Sequence, residues 1–361
     1  MINISRPVIG EQEIKLVTEA LESGWVSSQG AFINEFEKQF AAFCGTKHCV
    51  VTSNGTVAIH LALLVLNIGP GDEVIVPDLT FVATANAVKM AGATPVIADV
   101  DPETWCIDPA DIRKKITQKT KAIIPVHIYG FPCDMDSLRQ IAEEHSIHIV
   151  EDAAEAHGAE YRGKKVGGFG AMATFSFFGN KIITTGEGGA ITTDSDEYAE
   201  KARLLRDHGM SKTKRYWYEE IGYNYRMTNL QAALGVAQMK SLAAFTAERD
   251  NMLSLYRQYL EPHGFQLNPQ REGIRSVNWI TCVLLKEANR EIRDKVLADL
   301  KNEGIETRPF FYPLTSLPMY KQPNNPVTES LSARGLNLPT FSGITEEQIR
   351  FISEALIKVA K

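Results

Sequence analysis

The sequence predicts an α/β fold with a mostly parallel central sheet and helices on both faces, followed by a smaller α+β domain. Short runs rich in β-branched residues alternate with helical patterns from about residue 47 to residue 194. Such alternation favours parallel strands joined by covering helices. The chain has 361 residues, enough for one large unit and one smaller unit. In sheets of this kind, ligands bind in the crevice at the carboxyl ends of the strands.

The individual elements follow in chain order. Buried strands are predicted at residues 49–52, 73–77, 95–98, 122–126, 147–150, 174–178, 190–193 and 279–285. Helices are predicted at residues 56–66, 80–90, 109–116, 135–145, 228–260, 290–303 and 345–359. We place a boundary near residue 245, which gives a large domain of residues 1–245 and a smaller domain of residues 246–361.

Composition and charge exclude several classes of protein. A formal charge of −6 and a pI near 5.8 argue against a nucleic-acid binder, which would carry a basic face. Five cysteines without a C-x-x-C pair suit free thiols in a reducing compartment. No signal peptide and no apolar stretch of membrane-spanning length is visible. We therefore expect a cytoplasmic protein that binds neither membranes nor nucleic acid.

One lysine stands out in residues 174–189, TFSFFGNKIITTGEGG. Lys181 lies in a glycine-rich turn after a predicted buried strand, with apolar residues on both sides. Shelter from water disfavours the charged form of a lysine, so its pKa falls and its amine becomes nucleophilic. A surface lysine in a flexible loop is the competing interpretation.

Two other strand ends carry polar residues. Residues 53–56, SNGT, follow one strand and open a helix, where backbone N–H groups can bind a phosphate, although the same residues also serve as ordinary caps. Residues 147–157, IHIVEDAAEAH, lead an apolar strand into carboxylates. Asp152 could hold a pyridine nitrogen protonated or could simply cap a turn. No H-E-x-x-H motif is present, and we predict no metal site.

Taken in this order, the segments resemble the sugar aminotransferases of the DegT/DnrJ/EryC1/StrS family. The resemblance extends from residues 25–30 to residues 335–340 and implies the type I, aspartate-aminotransferase-like fold with pyridoxal 5'-phosphate (PLP) as cofactor. Residues 174–189, 215–217 (RYW) and 222–229 (GYNYRMTN) resemble most closely the members that aminate C4 of GDP-4-keto-6-deoxymannose.

The resemblance also implies roles for single residues. Lys181 matches the lysine that carries the cofactor, and Asp152 matches the carboxylate that pairs with the pyridine nitrogen. Asn224 matches a residue that reaches the phosphate from the neighbouring subunit, which implies a homodimer with shared sites. The complete set of implied cofactor contacts is Gly55, Thr56, Phe81, Asp152, Glu155, Ser176, Lys181 and Asn224. Among them, Gly55, Thr56 and Ser176 match the phosphate site, Phe81 the aromatic stacked on the ring, and Glu155 a neighbour of the ring hydroxyl.

The implied reaction moves an amino group from glutamate to a nucleotide-linked keto-sugar and releases 2-oxoglutarate, with ping-pong kinetics. Such amino sugars serve O-antigen or related surface glycans. Candidate substrate contacts are Arg226, Arg308 and Tyr312, and a structural ion pair at the dimer interface is an equal alternative for Arg226. A basic and aromatic cluster could receive nucleotide or could be a solvated face; its members are Lys212, Lys214, Arg215 and Trp217.

Three alternatives compete with this interpretation. The same chemistry could act on a UDP- or dTDP-linked sugar. A dehydratase of the same family carries histidine in place of the lysine, and the presence of Lys181 argues against it. A PLP-binding regulator without turnover would need an added DNA-binding unit or a basic face, and the sequence shows neither.

Overall fold

The computed structural model describes residues 1–360 and confirms the predicted fold class. Strands β1 to β14 are His48–Thr52, Glu73–Pro77, Thr94–Ala98, Thr120–Ile123, His148–Asp152, Glu160–Tyr161, Lys164–Lys165, Met172–Ser176, Gly189–Thr193, Gln266–Leu267, Ile274–Arg275, Thr281–Leu284, Arg308–Pro309 and Gly335–Leu338. Helices α1 to α12 are Glu11–Glu22, Ala31–Cys44, Gly55–Val65, Ala83–Met90, Pro109–Lys115, Met135–His145, Asp196–Arg206, Asn229–Met239, Leu242–Leu260, Arg290–Asn302, Pro326–Arg334 and Glu346–Val359.

The central sheet has seven strands in the order β1-β9-β8-β5-β4-β2-β3. All neighbouring pairs are parallel except those that β9 makes with β8 and β1. Because β9 is antiparallel to both of its neighbours, β1 runs in the same direction as β8. The carboxyl ends of six strands therefore lie at one edge of the sheet.

Apolar side chains on both faces of the strands hold this sheet between two helical layers. In β2, Val74 and Val76 pack in one cluster with α3, α4 and α7, whereas Ile75 packs in the other with α2, α5 and α6. Successive strand residues point to opposite faces, so a strand covered on both sides is apolar throughout. The near-continuous apolar runs in the sequence have this cause.

A second sheet, β10-β12-β14-β13, packs with α9, α10 and α12 around its own apolar cluster. The N-terminus joins this unit, since Ile2 forms a parallel bridge with Ile305. The proposed boundary at residue 245 falls in the first turn of α9. The division into residues 1–245 and 246–361 remains a prediction.

The prediction of one helix over residues 228–260 was wrong. The chain forms α8 and α9 with a break at Lys240 and Ser241. At this break the N–H groups of Lys240 and Ser241 bond to carbonyls three residues back, at Ala237 and Gln238, which tightens the last turn of α8. Neither residue is a glycine or a proline, and although serine is a common N-cap residue, the Ser241 side chain makes no capping hydrogen bond.

Two further structural facts bear on the predictions from composition. The cysteines Cys44, Cys49, Cys106, Cys133 and Cys282 are all buried free thiols. Within residues 1–360, no helix combines the length and the apolar character needed to cross a membrane.

Candidate active site

Five of the predicted site residues lie at the carboxyl edge of the central sheet. Gly55 begins α3 directly after β1, and Phe81 follows β2. Asp152 and Ser176 are the last residues of β5 and β8, which pair in parallel. Lys181 lies in the turn after β8. The sheet topology thus brings together residues that are far apart in the sequence.

Lys181 is sheltered, as its position in the sequence predicted. Its side chain is only 12% exposed, and its Nζ atom lies 3.6 Å from Oε1 of Glu155. The same nitrogen lies 4.1 Å from the centre of the Trp279 ring. Burial lowers the pKa of the Lys181 amine, while Glu155 and Asp152 act in the opposite direction. An amine in this setting can both attack a carbonyl carbon and accept a proton.

Asp152 is a buried carboxylate with few partners. Its Oδ2 accepts a hydrogen bond of 2.8 Å from the Thr84 hydroxyl, and its Oδ1 accepts one of 3.2 Å from the Ala154 N–H. Burial raises the pKa of this carboxyl group. A cationic partner such as a protonated pyridine nitrogen would restore the favoured charged form.

Glu155 is equally buried and lies beside the lysine. Its Oε2 accepts a hydrogen bond of 2.7 Å from the backbone N–H of Tyr129. Burial raises the pKa of Glu155, against the opposing effect of Lys181. The two side chains form a pair that can share one proton.

The turn at the start of α3 fits a phosphate group. A Cβ atom built on Gly55 would lie 2.8 Å from Cβ of Ser176, so only glycine allows this close approach. Asn54 caps the helix by accepting the Val57 N–H at 3.0 Å, and the N–H groups of Gly55 and Thr56 at the helix N-terminus have no helical partner. With the Ser176 hydroxyl they form a cradle for an anion. The residues present therefore fit PLP.

An aromatic group lies at the entrance to this site. Phe81 is 56% exposed, and its ring centre lies 5.9 Å from that of Phe311. Phe311 also stacks on Tyr129, with ring centres 5.6 Å apart and planes 11° apart. The free face of Phe81 suits stacking on a planar cofactor.

Two predicted residues lie together in a neighbouring region. The amide oxygen of Asn224 accepts a hydrogen bond of 3.1 Å from Arg226, which also forms an ion pair with Asp207. Asn224 itself is exposed and forms a bridge to Asp207. Arg226 thus fixes the exposed amide of Asn224, and its ion pair lies within this chain, so a pair at a dimer interface stays a prediction.

The structure does not bring Arg308 and Tyr312 to the lysine. Arg308 pairs with Glu306, and the ring of Tyr312 lies under the guanidinium groups of Arg290 and Arg293 in α10. Phe310 and Phe311 of this segment both contact Tyr129, with ring centres 4.8 Å and 5.6 Å from that of the tyrosine.

The sequence interpretation missed Trp279, Tyr129 and Thr84. No local motif marks them, because their contacts cross long stretches of chain: Trp279 donates a hydrogen bond of 2.8 Å to the carbonyl of Asn180, 99 residues away. In the part of the chain that the structure describes, no group of three or more histidines, cysteines or carboxylates is arranged to hold a metal ion.

A sheltered lysine, a buried carboxylate and a phosphate-sized turn at the carboxyl edge of this sheet define a PLP-dependent enzyme of the type I fold. Comparison with known proteins narrows the class. Residues 7–357 match the DegT/DnrJ/EryC1/StrS aminotransferase family. The chain belongs to this family and is a PLP-dependent aminotransferase.

Individual relatives agree with this assignment over the whole chain. It is 48% identical over 363 residues to the GDP-perosamine synthase of Caulobacter vibrioides, covering 99% of this chain and 98% of the relative. It is 42% identical over 360 residues to the GDP-perosamine synthase of Vibrio cholerae, with the same coverage. A Streptococcus pneumoniae protein assigned as a sugar aminotransferase, in its PLP form, superposes with a TM-score of 0.95 at 29% identity, covering 99% of this chain and 98% of the other.

Proposed function

We propose that this enzyme transfers the amino group of glutamate to the C4 keto group of GDP-4-keto-6-deoxymannose. The product would be GDP-perosamine, a precursor for O-antigen or related surface glycans. The observation that carries this proposal is the similarity to GDP-perosamine synthases, at 42% and 48% identity and over 99% of the chain. The nucleotide and the sugar are taken from those relatives.

Bound PLP supplies an electron sink that stabilises the charge left when a carbon next to nitrogen loses its proton. In this proposal Lys181 carries the cofactor, and its freed amine moves that proton as general base and then as general acid. Asp152 holds a proton on the pyridine nitrogen and is itself oriented by the Thr84 hydroxyl. Removal of water from both groups strengthens each of these interactions.

Other residues bind and orient. Gly55 and Thr56 offer backbone N–H groups to the phosphate, and Ser176 offers its hydroxyl. Phe81 would cover one face of the cofactor ring. Glu155 keeps the Lys181 amine within reach of the reacting carbon, because the Glu155 Oε1 atom lies only 3.6 Å from the Lys181 Nζ atom.

The second subunit supplies the remaining phosphate contact in this proposal. Asn224 is exposed and is held in place by Arg226, as expected of an amide presented to a partner. The working unit would then be a homodimer with shared sites. Arg226, Arg308 and Tyr312 remain candidate substrate contacts, the last two only if closure or a partner subunit brings substrate to them.

A basic cavity next to Arg226 supports an anionic substrate such as a nucleotide diphosphate. Its volume is about 620 Å³, and Asp207 is the single carboxylate in its lining. Five positively charged residues line it: Arg203, Arg206, Lys212, Arg215 and Arg226. Four of them already pair with a carboxylate of the same chain, Arg203 and Arg206 with Glu37, Lys212 with Glu200 and Arg226 with Asp207. Arg215 is therefore the cation of this lining that can meet an anionic substrate without giving up a carboxylate partner. The buried free thiols support a reducing, cytoplasmic setting.

A substrate panel tests the proposal. The enzyme would be assayed with glutamate and with GDP-, UDP- and dTDP-linked 4-keto-6-deoxy sugars, following 2-oxoglutarate and the amino sugar by mass spectrometry. We expect kcat/KM for GDP-4-keto-6-deoxymannose to exceed the others by about tenfold or more, with ping-pong kinetics. Preference for a UDP- or dTDP-linked sugar would overturn the nucleotide assignment.

A second measurement separates turnover from mere binding. Glutamate alone should change the absorbance of the bound cofactor as the amino group is taken up. A PLP-binding regulator would leave the spectrum unchanged and would release no 2-oxoglutarate.

A further inference from the structure

Trp279 contacts the lysine from outside the predicted large domain. Its ring is 7% exposed, and the Lys181 Nζ lies 4.1 Å from the ring centre. Its indole N–H donates a hydrogen bond of 2.8 Å to the carbonyl of Asn180, the residue just before the lysine. Trp279 therefore holds both the end of the lysine side chain and the backbone that carries it.

Tyr129 supports this arrangement from behind. Its ring is stacked on that of Trp279, with centres 6.4 Å apart and planes 11° apart. Its backbone N–H donates to Glu155, the carboxylate beside the lysine. Tyr129 adopts a φ of 53°, a left-handed conformation that costs about 1 kcal/mol or more for a residue other than glycine. The surrounding contacts hold this strained turn in place.

The proposed reaction explains why Trp279 and Tyr129 would surround the lysine amine. During part of each cycle the lysine amine is free, and it must stay within reach of the reacting carbon without being solvated. A buried ammonium is disfavoured unless nearby groups stabilise it. The electron-rich face of an indole ring stabilises an ammonium, and more strongly where water is excluded.

We propose that Trp279 is a positioning residue of the transamination site, which together with Glu155 holds the free amine of Lys181 as an ammonium ion between proton transfers. This inference rests on the proposed role of Lys181. It deepens that role, because a residue beyond position 245 would then set how readily the lysine gains and gives up its proton.

Several titratable groups act on the amine, and the test must separate Trp279 from them. Glu155 and Asp152 favour the charged amine. His157 is also close enough for its pKa to be lowered to about 3, chiefly by burial and further by Lys181. Because substitution of Trp279 leaves all three groups in place, a change in lysine titration can be assigned to the indole.

The experiment measures lysine reactivity in the full-length protein after removal of the cofactor. Trace labelling with acetic anhydride across a range of pH, followed by peptide mass spectrometry, gives the pH midpoint of Lys181. We expect Trp279→Leu to lower this midpoint by about one pH unit. Trp279→Phe keeps a ring face and should recover part of the shift. An unchanged midpoint in Trp279→Leu would overturn the proposal.

Two further variants guard against a folding artefact. Replacement of Trp279 by 5-fluorotryptophan withdraws electron density from the ring at almost constant shape. It should lower the midpoint by a smaller amount, and this can be measured even if Trp279→Leu does not fold. Trp105→Phe is the matched control, since Trp105 also contacts Tyr129, with ring centres 6.5 Å apart. It should leave the midpoint unchanged, and an equal shift in this control would assign the effect to general loosening.

The outcomes also separate this inference from the function on which it rests. If Lys181→Ala retained transamination, the proposed role of the lysine would fail whatever the titration showed. If that variant were inactive while the midpoint was insensitive to both Trp279→Leu and the fluorinated ring, only the role of Trp279 would fail. A true positioning effect should also lower kcat with little change in the KM for glutamate.

Discussion

Two buried acid–base pairs contain glutamates that are four residues apart in the sequence. The pairs differ in how many hydrogen bonds their carboxylates accept. Glu151 pairs with His127 at 3.2 Å, and Glu155 pairs with Lys181 at 3.6 Å. All four side chains are largely withdrawn from water. We call the Glu151–His127 pair closed, because its carboxylate accepts a full set of hydrogen bonds, and the Glu155–Lys181 pair open, because its carboxylate does not.

Glu151 belongs to the closed pair. It accepts hydrogen bonds from the N–H groups of Gly167, Phe169 and Gly170 as well as from His127. His127 accepts the Cys133 N–H at Nδ1, so its Nε2 carries the hydrogen that it donates to Glu151. Burial alone would raise the pKa of Glu151, but these donors outweigh it and the pKa is lowered.

The open pair has no such set of donors. Glu155 receives one backbone hydrogen bond, from Tyr129, and its pKa is raised by burial. The Lys181 amine is placed between a carboxylate and an indole face, with its pKa lowered by burial. The contrast shows that burial without full hydrogen bonding leaves groups able to exchange protons, whereas burial with full hydrogen bonding fixes structure.

The largest effect is expected from a substitution that breaks the open pair. Lys181→Ala should reduce transamination by about 10⁴-fold or more, because it removes both the attachment point and the proton carrier. The free energy of unfolding should fall less than for the closed pair, because Glu155, whose pKa is raised by burial, can take up a proton when the amine is gone. Product formation and urea unfolding would be measured together. Full activity would refute the assignment.

The closed pair provides the matched control for that variant. His127→Ala leaves Glu151 buried without its imidazole partner and should cost about 3 kcal/mol of stability. Equal stability losses in Lys181→Ala and His127→Ala would contradict the distinction between the two pairs.

Asp152→Asn should produce the next largest effect. The substitution preserves shape and can still accept from Thr84, but it removes the charge that keeps the pyridine nitrogen protonated. We expect activity to fall by about 10²- to 10⁴-fold without loss of stability in the cofactor-free protein, where the buried carboxylate is disfavoured. Near-normal rates would count against the role of Asp152 as charged partner.

The sequence predicted what depends on local pattern and missed what depends on distant contacts. Strands such as β2 and helices such as α6 were predicted to the residue, because apolar runs and caps mark their ends. Lys181 was found because glycines and apolar residues surround it in the sequence. Trp279 was assigned only to a strand, since the feature that matters is its contact with a residue in another part of the fold.

A helix break that no glycine or proline marks was also missed. The N–H groups of Lys240 and Ser241 separate α8 from α9 by bonding to carbonyls three residues back. Serine is a common N-cap residue, but the Ser241 side chain makes no capping hydrogen bond here. The importance of Glu151 was likewise hidden, because the N–H groups that it accepts come from a loop 16 to 19 residues further on. A complete hydrogen-bond network of this kind can therefore be predicted only when the fold is known.

Conservative substitutions of the two glutamates sharpen the comparison. Glu151→Gln turns an NH₂ group towards N–H donors and should destabilise the protein by about 3 kcal/mol. Glu155→Gln can still accept the Tyr129 N–H and relieves a buried charge, so its cost should be about 1 kcal/mol or less. Urea unfolding of the cofactor-free variants measures both. A larger loss for Glu155→Gln would reverse our assignment of the structural and reactive pairs.

The pH dependence of the same two variants should have opposite signs. The folded pKa of Glu151 is below its ordinary value of 4.5, so its stabilisation is fully present above pH 4.5 and is lost as the pH falls through the lowered pKa. The folded pKa of Glu155 lies above 4.5, so the native state retains a proton that the unfolded chain has lost. The wild type should therefore lose stability relative to Glu155→Gln as the pH rises above 4.5.

Unfolding free energies from pH 3 to pH 8, roughly the range in which buried carboxyl groups titrate, would test these signs. The gap between wild type and Glu151→Gln should narrow below pH 4.5, and the gap for Glu155→Gln should change only above that pH. Each unit of difference between folded and unfolded pKa changes the stability by about 1.4 kcal/mol, so the slopes are measurable. Slopes of the same sign would contradict the distinction between the two pairs, because the opposite signs follow from the groups that lower the pKa of Glu151 and from the burial that raises the pKa of Glu155.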